Sequence, residues 1–265
     1  MNIIVTMKQV PDTQEVKIDP ETGTLVREGA PTIINPEDKN ALEEALRIKA
    51  QLPDAGITAL SMGPPQAASI LREALAMGAD KAILVSDRGF AGSDTLATSY
   101  ILAGAIRKIK DYDLILCGRQ AIDGDTAQVG PQIAECLNIP QVTYAQKIEV
   151  NKDLVTVQSN FTRIMRTVMV APPALITVTG SINKPRYKTL KGIWRAYDDM
   201  EVLHWSQDDL QLNPMRIGLN GSPTWVRNIA APEYSRSGMV KEGDAAELAD
   251  AMFEFLTDNN FVSTD

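Results

Sequence analysis

Short apolar runs alternate with amphipathic stretches along the first half of the chain. Ile3 to Met7, Ile57 to Met62, Ala82 to Ser86 and Leu114 to Cys117 are apolar enough to be strands buried on both faces. Between them, residues 36–51, 65–77, 94–109 and 127–137 carry helical spacing. Leu42, Ala45 and Leu46 share one face, Ile70, Leu71, Ala74 and Leu75 another, and Val129, Ile133, Cys136 and Leu137 a third. Asn35-Pro36-Glu37-Asp38 supplies an N-cap, a proline at the first helical position and first-turn acids, while Gly78 supplies a terminator. Such alternation predicts an α/β fold, three layers deep, around a mostly parallel sheet.

The pattern departs from this rhythm further on. Val16 to Asp19, the turn Pro20-Glu21-Thr22-Gly23, and Thr24 to Val26 predict a β-hairpin insertion. From Tyr144 to Val178, Val155, Val157, Val168 and Val170 alternate with polar residues, which predicts antiparallel strands added to the sheet. Residues 181–196 are polar and basic with little periodicity, and residues 198–241 read as an extended arm. Ala245, Leu248, Ala249, Met252 and Phe253 then line one side of a final helix over 244–257. The division expected is an α/β domain over 1–196 and a C-terminal arm and helix over 197–265.

Composition narrows the chemistry. The 265 residues carry a formal net charge of −8, so nothing draws the chain to nucleic acid or to anionic lipid. An acidic chain can still hold a nucleotide, because free amides at helix N-termini bind phosphate. One histidine, His204, and two cysteines, Cys117 and Cys136, make no zinc cluster and no disulfide framework. Both cysteines read as core residues, which suits a reducing cytoplasm. The N-terminus lacks the pattern of a signal peptide, and no apolar stretch approaches the ~18 residues of a membrane span. Dinucleotide Gly-x-Gly-x-x-Gly, Walker A, His-Glu-x-x-His and Gly-x-Ser-x-Gly patterns are all missing from the sequence.

Ligands of open parallel sheets sit beyond the carboxyl ends of the strands, so the loops there hold the candidates. Lys8-Gln9-Val10-Pro11-Asp12 follows the first strand. Met62-Gly63-Pro64-Pro65 follows the second and is in itself an ordinary turn into a helix. After the third strand, Gly92-Ser93-Asp94-Thr95-Leu96-Ala97-Thr98 opens a helix whose amides either take a diphosphate or are satisfied by Ser93 or Asp94 as caps. After the fourth comes a run of small residues, an arginine and two aspartates: Gly118-Arg119-Gln120-Ala121-Ile122-Asp123-Gly124-Asp125-Thr126-Ala127-Gln128-Val129-Gly130. Pro131 is tolerated only near a first turn, so the helix begins no earlier than about Ala127, leaving the amides of Thr126 to Val129 for phosphate. Arg119 is either an electrostatic partner for an anion or half of a surface salt bridge.

Taken in order, Lys8-Gln9-Val10-Pro11-Asp12, Asn35-Pro36, Met62-Gly63-Pro64, Ala76-Met77-Gly78-Ala79-Asp80, Gly118 to Asp125 and Asn183-Lys184-Pro185-Arg186-Tyr187 resemble the beta subunit of electron-transfer flavoproteins. The resemblance covers residues 1–196 well and the C-terminal arm weakly. It implies an adenine-nucleotide α-hydrolase-like fold, an alpha-subunit partner and a nucleotide in the cleft between the loops. That nucleotide is a structural AMP in part of the family. In the electron-bifurcating branch it is FAD, with NAD(H) as the substrate couple, and with ferredoxin or flavodoxin and a flavin dehydrogenase, of acyl-CoA/enoyl-CoA or of lactate type, as electron partners. The stretches Gly92 to Thr98 and Asp123 to Gly130 look like the bifurcating form. By resemblance, Thr6, Asn35, Met62, Gly63 and the run Gly118 to Val129 would surround the adenosine end. Asp94, Thr95, Ala97 and Thr98 would face the pyrophosphate and ribityl part. Asn183, Pro185, Arg186, Tyr187 and Leu190 match a docking loop whose leucine anchors the partner dehydrogenase. From the residues alone, the same leucine could equally tuck inward.

Overall fold

A computed structural model of the chain describes residues 1–12, 17–18, 25–26, 31–151, 154–224 and 238–262. The first strands are β1 (Asn2–Thr6), β2 (Gln9–Pro11), β3 (Lys17–Ile18), β4 (Leu25–Val26) and β5 (Thr32–Ile34), followed by helix α1 (Pro36–Gln51). Then come β6 (Gly56–Met62), α2 (Ala68–Met77), β7 (Lys81–Val85), α3 (Thr95–Ile109), β8 (Leu114–Gly118) and α4 (Val129–Leu137). Strands β9 (Gln141–Asn151), β10 (Leu154–Phe161), β11 (Ile164–Val170) and β12 (Ala174–Val178) precede α5 (Leu190–Asp198), β13 (Val202–Trp205), α6 (Gln207–Leu210) and α7 (Ala245–Asp258).

Nine of these strands form one sheet in the order β11-β10-β9-β12-β8-β1-β6-β7-β13. The pairings from β9 through β12, β8, β1, β6 and β7 to β13 are parallel. Strands β10 and β11 extend the sheet antiparallel at one side. The apolar runs form strands because both faces are covered. Ile3 and Val5 point into a core closed by α1 and α2, while Ile4 between them points into a second core closed by α3 and α4. The three-layer α/β/α fold is therefore present. Lys17–Ile18 and Leu25–Val26 pair antiparallel, as the hairpin requires, with its turn outside the described residues. The outermost strand, β11, leaves Met165 and Met169 exposed.

Two segments differ from their sequence reading. Residues 190–198 are helical despite weak apolar periodicity, because α5 buries small residues. Its Gly192 packs on the backbone of Ala76 at the end of α2, and Ala196 is fully buried one turn on. Thr189 starts the helix, its hydroxyl accepting from the Gly192 amide at 2.9 Å. The segment read as an extended arm also opens with a strand: Val202–Trp205 joins the sheet parallel to β7, in register Val202 with Ala82. The chain forms two compact units, Met1–Arg227 and Asn228–Asp265. Within the second, α7 opens with a capping box in which Asp244 and Glu247 bond each other's amides. Its Met252 and Phe253 are exposed.

Candidate functional site

The strand order fixes where a ligand can enter. From the central strand β1 the chain runs outward through β6 and β7, then returns to place β8 on the other side of β1. The loops after β1 and β8 therefore diverge, and a crevice opens between them. The first unit has a cavity of about 1130 Å³ at this point. Its walls come from four strand ends: Thr6 to Lys8, Met62 to Pro65, the Ser86 to Thr95 loop, and Cys117 to Ala121 continuing through Gly124 to Gly130.

Most of the candidate residues meet here. Thr6, Met62, Gly63, Asp94, Thr95, Thr98, Gly118, Arg119, Gln120, Ala121, Gly124, Asp125, Thr126, Ala127, Gln128 and Val129 all line the cavity. Asn35, Ala97, Ile122 and Asp123 do not. Ala97 is fully buried in α3. Asp123 lies outside the wall and pairs with Lys8, whose ammonium reaches both carboxylate oxygens at 2.7 Å.

Asn35 acts on the site from behind. Fully buried at the start of α1, it makes no side-chain bond to its own helix. Its Nδ2 donates to the Gln120 carbonyl at 2.9 Å, and its Oδ1 accepts from the Ile122 amide at 3.1 Å. The next residues continue the clamp. A Glu37 oxygen accepts from the Gln120 amide at 3.1 Å, and its other oxygen pairs with the Arg119 guanidinium at 3.3 Å. Asp38, buried and part of the cavity lining, accepts from the Gly118 amide on one oxygen and from the Lys8 amide on the other, both at 2.8 Å. Sequence reasoning missed this role: first-turn acids suit any helix, and nothing local points to Gly118, eighty residues away. Burial pushes the Asp38 carboxyl up to about 7, against the pull of the Lys8 and Gly118 amides and of Asn35. Cys117, beside it on the floor, is held as a thiol by burial and by the neighbouring Asp38 charge.

The far side of the cleft is built from two helix starts. Asp94 caps α3, accepting from the amides of Leu96 and Ala97 at 3.0 Å. It also accepts from the amide and hydroxyl of Thr224, at 3.1 and 2.7 Å. Burial works against its ionisation, but these bonds outweigh that and hold its carboxyl below the usual range. Asp94 thus caps its own helix and fastens a later segment as well. Thr95 donates from its hydroxyl to Gln128 Oε1 at 3.1 Å, joining the starts of α3 and α4. Asp125 and Ala127 have φ of 48° and 52°, and Gln128 returns to right-handed helical geometry. A left-handed residue followed by a right-handed one turns successive amides to one side, a concavity suited to an anion. Arg119 Nε is buried and finds no acceptor among the described residues.

The docking-loop candidates divide into anchors and outward-facing residues. Asn183 exchanges hydrogen bonds with Asn40, and Arg186 forms a two-pronged pair with buried Glu43 at 2.8 and 2.9 Å. Pro185 is half-buried between them. Tyr187 and Leu190 turn outward, with Leu190 87% exposed, and Trp194 and Tyr197 follow on the same side of α5. Among the described residues no helix is long and apolar enough to cross a membrane, and no cluster of His, Cys, Asp and Glu could hold a metal ion.

A family described as "Electron transfer flavoprotein domain" matches residues 22–200. The chain is 50% identical over 262 residues to the electron transfer flavoprotein subunit beta of Thermoanaerobacterium thermosaccharolyticum, covering 99% of this chain and 100% of the relative. It is 46% identical over 263 residues to the caffeyl-CoA reductase-Etf complex subunit CarD of Acetobacterium woodii, again covering 99% and 100%. With the acryloyl-CoA reductase electron transfer subunit gamma of Anaerotignum propionicum it shares 44% identity over 272 residues, at 99% and 100% coverage. The chain belongs to the electron-transfer flavoprotein family, among its beta subunits, and works in electron transfer.

Proposed function

We propose that the chain is the beta subunit of an electron-bifurcating flavoprotein that acts in the cytoplasm and binds FAD in the cleft described above. The observation that carries this is the capacity of the cleft. About 1130 Å³ exceeds the ~300–1000 Å³ of most small-molecule sites. It runs from the loops flanking β1 and β8 to the start of α3, which suits a dinucleotide better than a lone AMP. When bound, the flavin would take a hydride from NADH, send one electron to ferredoxin or flavodoxin, and send the other through an FAD held mainly by the alpha subunit to a flavin dehydrogenase.

The chain's own residues bind and orient. Amides at the start of α4 and in the Ala127–Gln128 concavity suit a diphosphate, whereas those of Leu96 and Ala97 at the start of α3 are taken by the Asp94 cap. Arg119 brings positive charge and an unspent donor to the same wall. In this reading Thr6, Met62 and Gly63 flank the adenosine end, and Phe90 and Leu102 give the opposite wall an apolar lining. Tyr187 and Leu190 are the contact for the flavin dehydrogenase, which the relatives' names suggest is a CoA-linked reductase.

The test is a cofactor count on the heterodimer purified with its alpha subunit. Two FAD per heterodimer, and NADH-dependent ferredoxin reduction that needs the dehydrogenase's acceptor, are expected. One FAD with one AMP, and no ferredoxin reduction, would assign the cleft to a structural nucleotide in a simple carrier.

A further inference from the structure

Asp38 holds the two strand ends that border the crevice. Its oxygens accept from the amides of Lys8, after β1, and Gly118, at the end of β8. An ionised carboxylate serves both amides best: protonation makes one oxygen a donor and a much weaker acceptor, and an asparagine has a single side-chain acceptor. Gly118 leaves the space for this contact, since a Cβ there would lie 2.6 Å from Asp38 Oδ1. The cleft therefore has its width set by one side chain beneath it.

We propose that Asp38 is a positioning residue for the nucleotide: its carboxylate, bridging Lys8 and Gly118, sets the spacing of the β1 and β8 loops at which the ligand is gripped. This rests on the reading of the cleft as the nucleotide site. A consequence is proton-linked binding. Burial drives the carboxyl up to about 7, so near neutrality the free protein divides between bridged and unbridged forms. Of the charged and titratable groups around Asp38, Glu37 on α1 and Cys117 on β8 act on it or feel its charge, while Lys8 carries one of the amides it accepts from and Arg119 follows the other. Glu37 is paired with Arg119, Lys8 with Asp123, and burial keeps Cys117 a thiol. Ligand binding favours the ionised, bridged state, so affinity declines as pH falls below about 7. Folding has the opposite sign: the raised value disfavours the ionised form, so the contribution of Asp38 to stability is most favourable at acid pH and declines as pH rises from the ordinary carboxylate value to about 7.

The experiment uses the heterodimer with the nucleotide of this cleft removed and the alpha-subunit FAD retained, with FAD and AMP as probes, titrated calorimetrically from pH 5.5 to 8.5. Wild type and Asp38→Asn are compared with the same probe, so the ligand's own ionisation cancels. Wild-type affinity should fall by up to tenfold per pH unit below about 7 relative to the variant. At pH 8 the variant should bind about 10- to 100-fold more weakly, the loss expected for one charge-assisted hydrogen bond. Equal affinities and parallel pH profiles in the two proteins would overturn the role of Asp38 while leaving the cleft as the binding site. Failure of wild type to bind either probe at any pH would overturn the cleft reading and the proposal with it. If Asp38→Asn does not fold, wild-type binding of FAD decides alone, because its diphosphate diester does not titrate near neutrality. An affinity that does not change between pH 6 and 8 would sink the proposal.

Discussion

Gly118→Ala probes the attachment of α1 to the β8 loop most directly. An added Cβ would lie 2.6 Å from Asp38 Oδ1, 2.8 Å from the Asp38 nitrogen and 2.8 Å from the Glu37 carbonyl carbon. Two of these three atoms are helix backbone, so no rotamer change relieves the clash. Either α1 moves off the sheet or the β8 loop bends outward. Overpacking of this kind costs about 1–3 kcal/mol. Parting Gly118 from Asp38 leaves a buried amide unpaired, at about 1–3 kcal/mol more. A combined loss near 4 kcal/mol would lower the thermal midpoint by roughly 8–16 °C in a unit of this size. The control lies six residues on, where a Cβ on Gly124 would meet nothing within 4 Å. Gly124→Ala should stay within about 0.5 kcal/mol of wild type. Circular dichroism melts of both variants, with nucleotide content measured on the same preparations, give the comparison. The reasoning fails if Gly118→Ala melts with Gly124→Ala and keeps its full complement of nucleotide.

Leu190→Ala should leave the melting midpoint unchanged, because the side chain is 87% exposed. It should weaken association with the partner dehydrogenase about 30-fold or more if Leu190 is the anchor, as surface plasmon resonance would register. Asp94→Ala removes the cap of α3 and the acceptor for Thr224, a loss of about 1–2 kcal/mol by urea denaturation. Since the folded protein holds this carboxyl below its usual range, that loss is full above the ordinary carboxylate value and disappears as pH drops through the depressed one. Urea curves at acid and neutral pH that differ from wild type by the same amount would contradict it. Ala127→Gly relieves a left-handed residue at φ 52° and should stabilise the protein by about 0.5 kcal/mol once the added freedom of the unfolded chain is subtracted. A destabilised variant would show that Ala127 is not strained.

The framework of the fold was legible because its signals are local. Helix 36–51 announces itself through Asn35-Pro36 and the acids that follow, and it runs from Pro36 to Gln51. The four apolar runs mark strands to within a residue, since strands covered on both sides admit little else. The segment at 190–198 hid its helix because it buries Gly192 and Ala196 and turns its large apolar residues outward, reversing the usual pattern. Val202 to Trp205 is too short to stand out, and only the edge of β7 makes it a strand. At the cleft, small-residue loops after strands pointed to the right rim. The bonds that hold the rim in shape, from Asn35, Glu37 and Asp38 to residues 118–122, cross eighty or more positions of sequence and become visible only in three dimensions.

The outer strand β11 has a practical bearing on handling the protein. Among the described residues no strand pairs beyond it, so one row of peptide groups is left without a ladder there, next to the exposed thioethers of Met165 and Met169. A bare flank of this kind invites other chains to add themselves to it. Material made without its companion subunits should grow turbid as it is concentrated, and peroxide, by making those two methionines polar, should slow that clouding.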